Sequence, residues 1–129
     1  MAPRETFAKT PEDAVRLAVE AIAAGDMDAT LAMYEPDACF VGPTGEVANG
    51  HAELRDALLP FSALKPRFRF EVERIIHGAD IALIAGKWSF TGTDPEGNTV
   101  EMSGRNLDVA RQQDDGSWRI VIDNPFASA

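Results

Sequence analysis

Asp108 and Asp123 are the side chains through which this chain is best equipped to move a proton. They lie in Gly104 to Asp123, GRNLDVARQQDDGSWRIVID, where two runs of alternating apolar residues flank Gln113-Asp114-Asp115-Gly116 and predict a β-hairpin. With Gln112 opposite Ser117, one face of the hairpin carries Asn106, Asp108, Ala110, Arg119, Val121 and Asp123. The other face carries Leu107, Val109, Trp118, Ile120 and Ile122, because strand side chains alternate and cross-strand partners share a face. Two carboxyls in one apolar pocket cannot both ionise cheaply, so one would hold a proton near neutral pH and the pair could act as acid and base. Periodicity alone supports the opposite arrangement. There the apolar face is the core, Asp108 is solvated, and Asp123 merely ends the strand beside Asn124-Pro125.

Few other side chains offer chemistry. Tyr34 is the only phenol in the chain. Trp88 and Phe90 share a strand face, where they could stack on a flat ligand or equally fill the core. Met27 and Met33 read as packing. Cys39 is the only cysteine, which rules out an intramolecular disulfide and a thiolate metal site, and its apolar neighbours predict a buried, inert thiol. His51 and His77 are the only histidines, too few for a histidine-rich metal site, and both are expected near solvent. Arg67, Arg69 and Arg74 with Glu71 and Glu73 read as a mixed-charge outer strand face. Neither a metal nor an organic cofactor is expected.

The elements that must position these residues follow from patterning. Thr10-Pro11-Glu12-Asp13 starts a helix, with Thr10 as N-cap, and Gly25 ends it. Asp26 caps a second helix expected to run from Met27 to Tyr34. Short strands are predicted at Ala38 to Val41 and at Glu46 to Ala48, then a helix from His51 to Leu64. From Arg67 onward the chain alternates as successive antiparallel strands. The order α-α-β-β-α-β-β-β-β predicts an α+β domain, three helices on a curved, mostly antiparallel sheet with a conical hollow between them. Residues 1–9 are expected to be a flexible lead-in, 10–126 a single domain and 127–129 a tail.

Composition narrows the partners. The formal net charge of −9 repels a phosphate backbone, so nucleic acid is not expected. No run is apolar enough to span a bilayer and no signal-like N-terminal segment is present, so no membrane partner is expected and the location is expected to be cytoplasmic.

Three stretches carry a family resemblance: Ala24-Gly25-Asp26-Met27-Asp28 with Tyr34-Glu35-Pro36-Asp37-Ala38; Gly45 to Gly50; and Asp108-Val109-Ala110-Arg111 with Asp115-Gly116-Ser117-Trp118-Arg119-Ile120. On these the chain resembles the NTF2-like superfamily, in its SnoaL-like, ketosteroid-isomerase-like branch, from about Thr10 to Phe126. The resemblance implies a cone-shaped fold with a small-molecule pocket. The steroid isomerases of the family use a carboxylate base that falls here at Gly42-Pro43 and a helix-one tyrosine that falls near Ala18, so neither is matched. Only their late-strand acid has a counterpart, Asp108. A ketosteroid isomerase reaction is therefore not expected, and the SnoaL-like cyclases, which lean on one strand aspartate, are the better match.

The resemblance turns Asp108 inward, against the reading from periodicity. It implies a cone bounded by Tyr34, Phe40, Trp88, Phe90, Asn106 and Asp108, with Val121 and Asp123 on the same face. Leu107, Val109, Trp118, Ile120 and Ile122 then fall on the outer face, where they would form a homodimer. The function implied is a small-molecule-binding domain, a cofactor-independent acid-base enzyme of isomerase or cyclase type acting on an apolar or aromatic ligand. The alternative is a non-catalytic binding or dimerisation module with a vestigial pocket.

Overall fold

The computed structural model describes residues 7–127; residues 1–6 of the expected lead-in and 128–129 of the expected tail lie outside the described residues. Within the lead-in, Ala8 is buried and its carbonyl accepts from the Trp118 amide at 3.0 Å. Helix α1 (Pro11–Ala24) begins where Thr10 Oγ1 accepts from the Asp13 amide, and it stops at Gly25, whose φ of 77° suits a residue without a β-carbon. Its Val15, Ala18 and Ile22 form the buried stripe. Helix α2 (Met27–Ala32) is capped by Asp26 and is shorter than the sequence suggests. Tyr34 does not end this helix. It opens strand β1 (Tyr34–Val41), because Met33 terminates α2 and its carbonyl is taken by the Ile120 amide at 2.7 Å.

Strand β2 (Val47–Asn49) and helix α3 (Gly50–Ala63) follow, then four long segments: β3 (Arg67–His77), β4 (Ile81–Thr93), β5 (Thr99–Gln112) and β6 (Trp118–Asp123). The strands form one sheet in the order β2-β1-β6-β5-β4-β3. Only β1 and β6 run parallel. The helices pack on one face of this sheet, as the element order requires, and the hollow lies between the two layers.

The hairpin register departs from the expected one in two places, and both matter. Gly116 takes a φ of 87° and the Gln113 amide donates to Ser117 O, so the turn absorbs one more residue and Gln112 pairs with Trp118 rather than Ser117. Trp118 and Ile120, expected on the outer face, therefore point inward with Ala110, and they are 7% and 1% exposed. The register then jumps. Ala110 pairs with Ile120, but Val109 pairs with Ile122, which leaves Val121 as an extra residue in a β-bulge. Beyond the bulge, Ile122 faces outward beside Val109 and Leu107, and Asp123 faces inward beside Asp108. Cys39 is half-buried rather than buried. His51 also differs from expectation: its ring lies 3.1 Å from the Tyr34 carbonyl oxygen.

Candidate functional site

Between the helices and the sheet lies a cavity of about 80 Å³, measured as room for the centre of a water molecule, and its walls are almost entirely apolar. Helix α1 supplies Val15, Ala18, Val19 and Ile22, small or branched residues whose spacing keeps them on one helix face. Helix α3 supplies Leu58 and Phe61. On the sheet side, alternation brings Phe68 and Phe70 of β3 beside Phe90 and Trp88 of β4, in register as Phe68–Phe90 and Phe70–Trp88. The rings meet edge to face, Phe68 on Phe90 at 5.1 Å and Phe61 on Phe90 at 6.1 Å. The segment after β6 closes one side. Trp88 Nε1 donates to Pro125 O at 2.6 Å, and Phe126 stands edge-on to Trp88 at 5.6 Å. Gly104 lies opposite Trp88, and a β-carbon there would sit 3.3 Å from the indole and 3.2 Å from Pro125 O, so a side chain would press this strap outward by a few tenths of an ångström.

One end of the cavity is polar. Asp108 is 1% exposed; its Oδ1 accepts from the Asn124 amide at 3.0 Å and its Oδ2 from Asn106 Nδ2 at 2.8 Å. Asp123 Oδ2 accepts from the Tyr34 hydroxyl at 2.5 Å. The bulge at Val121 turns Asp123 toward Asp108, close enough for the two carboxyls to hydrogen-bond to one another. Part of Asp123 stays accessible, yet its carboxyl is packed round closely enough to be desolvated.

Burial pushes the Asp108 carboxyl well above the usual range, and the charge of Asp123 adds to the effect; the two N–H donors oppose it. Burial also raises Asp123, against the hydrogen bonds from Tyr34 and Asp108. The Tyr34 phenol is raised first by burial, then by the Asp123 charge. Two acids that each resist ionising, side by side, hold one proton between them over a wide pH range. Such a pair can accept a proton from a ligand and return one.

Of the residues singled out from sequence, Tyr34, Phe40, Trp88, Phe90, Asn106, Asp108 and Asp123 all line this cavity. Val121 does not, because it is the extra residue of the bulge. Ile120, expected on the outer face, is part of the wall. Sequence reasoning missed Phe61, Phe68, Phe70, Met102 and Phe126 as wall residues. The alternation of Phe68 and Phe70 was a signal for a half-buried strand, and the aromatic residues it pairs with could have assigned them to the same wall.

The fold is a cone of helices on a curved sheet around a cavity with a carboxyl pair at one end. The SnoaL-like domain family matches residues 15–121, and the chain belongs to it. Among solved structures it is similar to a ketosteroid isomerase-like protein from Erwinia carotovora atroseptica SCRI1043, with 24% identity over 88% of this chain and 90% of that one and a TM-score of 0.76. It is also similar to a nuclear transport factor 2-like superfamily protein from Salmonella enterica serovar Typhimurium LT2, with 18% identity, 91% and 87% coverage and a TM-score of 0.79. A conserved protein from Planctomyces limnophilus DSM 3776 shares 17% identity over 89% and 91%, with a TM-score of 0.81. At these identities the likeness is one of fold. No curated protein matches the chain.

Among the described residues, no helix is long and apolar enough to cross a membrane.

Proposed function

We propose that the cavity binds a small apolar or aromatic molecule and that the Asp108–Asp123 pair moves a proton on it, as an isomerase or cyclase does, using neither metal nor organic cofactor. The observation that carries this reading is the carboxyl pair itself, buried at the end of an apolar cavity and anchored by Tyr34. The Tyr34 hydroxyl on Asp123 favours the charge there, so Asp108, buried without a hydroxyl donor, holds the shared proton. The charged carboxyl takes a proton from carbon and its neighbour gives one back at another position, so the pair ends with the single proton it began with.

The experiment is deuterium exchange. In deuterium oxide the protein should accelerate exchange of the hydrogens beside the carbonyl of 2-tetralone, a bicyclic ketone of suitable shape, by about a hundred- to ten-thousand-fold. Asp108→Asn should abolish the acceleration and keep the fold. No acceleration, together with every aspartate titrating near the ordinary value of about 3.9 in carboxyl-carbon NMR, would reduce the domain to a binding module.

We also propose a homodimer through the outer sheet face, on a corrected set of residues. Ile76, Leu83, Val109 and Ile122 stand in register across four strands, and Leu107 lies beside them. Ile76 is 47% exposed, Leu107 39% and Ile122 37%, an apolar row that a two-fold copy of itself would cover. Sedimentation at micromolar concentration should give a dimer, and Leu107→Asp a folded monomer. A monomeric wild type would remove the dimer and leave the cavity proposal untouched.

A further inference from the structure

The polar end of the cavity has more hydrogen-bond acceptors than donors. The Tyr34 hydroxyl is engaged on Asp123, the Asn124 amide and one N–H of Asn106 on Asp108, the Trp88 indole on Pro125 O, and the shared proton within the carboxyl pair. Asn106 is 5% exposed and lines the cavity, yet its Oδ1 is buried without any donor among the described residues. A buried acceptor without a donor is costly, and a buried charge without a counter-charge is more so. Among the described residues, the lining contains no lysine, arginine or histidine to supply one. The rest of the wall is rich in aromatic rings, whose faces attract cations.

We propose that the ligand of this site is an apolar amine carrying its positive charge, with the ammonium at the Asp123, Asp108 and Asn106 end and the hydrocarbon among the rings. A ketone or ether of the same shape brings another acceptor, which only the pair's shared proton can meet, and no charge. A neutral alcohol supplies one donor and no charge. The proposal rests on the cavity being a small-molecule site, as set out above, and adds which molecules it takes.

The test compares three molecules of one skeleton, 2-aminotetralin, 2-tetralol and 2-tetralone, by calorimetry on the wild-type protein at neutral pH. The amine should bind at least tenfold tighter than either neutral analogue. Its heat should not change with the ionisation enthalpy of the buffer, because the amine arrives already charged and the pair keeps its single shared proton. As the pH is lowered and the pair takes up a second proton, the amine's advantage should shrink while the ketone's affinity stays level. An alcohol as tight as the amine would overturn the charge assignment. A ketone tighter than the amine would overturn the proposal altogether, as when the Asn106 amide turns over to present its N–H groups, and would leave the small-molecule reading standing. Failure of all three to bind would remove that reading and this inference with it.

Discussion

Strand β6 behaves as two half-strands. Before Val121, at Trp118 and Ile120, it is ordinary core: both side chains point inward, opposite Gln112 and Ala110 of β5. After Val121 the same inward face carries Asp123 beside Asp108. Were Val121 paired as an ordinary strand residue instead of bulged out, alternation would turn Ile122 inward and Asp123 out to solvent. One inserted residue therefore lets a single strand seal the apolar wall with one half and deliver a carboxyl to the cavity with the other. A bulge placed where a strand passes from apolar packing to a buried carboxyl is a device for re-aiming one side chain.

The most severe way to break this comparison is to place one charge in each half, to which the two halves should respond oppositely. Ile120→Asp, within the wall, should cost about 3–5 kcal/mol or prevent folding, whereas Ile122→Asp should cost under about 1 kcal/mol and act on self-association. Equal losses at the two positions would contradict the register.

A smaller effect sharpens the chemical half. Both carboxyls have folded-state pKa values above the unfolded ones, so between those values the folded chain binds more protons than the unfolded chain. Their contribution to stability is complete below about pH 4 and is lost as the pH rises through the raised range. Asp108→Asn should flatten this dependence and gain about 1–3 kcal/mol relative to wild type at the alkaline end. The smallest expected change is Tyr34→Phe. It should cost about 1 kcal/mol and move the Asp123 titration further up, since the lost hydroxyl favoured the charged carboxylate.

The element order and the cone were legible because they rest on long-period signals: the Thr10 cap, the Gly25 stop, and alternation through Phe68, Phe70, Trp88 and Phe90. The register was not, because it depends on two local insertions with no polar or apolar signature of their own. Gly116 hinted at the first, as a glycine closing a turn. Val121 hinted at nothing, since a valine between two isoleucines is what any strand would carry. The inward direction of Asp108 came from family resemblance against the reading of periodicity alone. Tyr34 was recognised as the only phenol but assigned to a helix, and its link to Asp123 could not be read from either local sequence.

The bond between Tyr34 and Asp123 joins residues 89 positions apart, and it sits on the only parallel strand pair of the sheet. Strand β1 is made early in synthesis and has no partner on that edge until β6 exists. The helices and the β3–β4–β5 meander can assemble from near neighbours, but the proton-carrying end of the cavity cannot. The rings of β3 and β4 are all in the chain by Phe90, whereas the acid pair waits for Asp123, so the two ends of the cavity are completed at different moments.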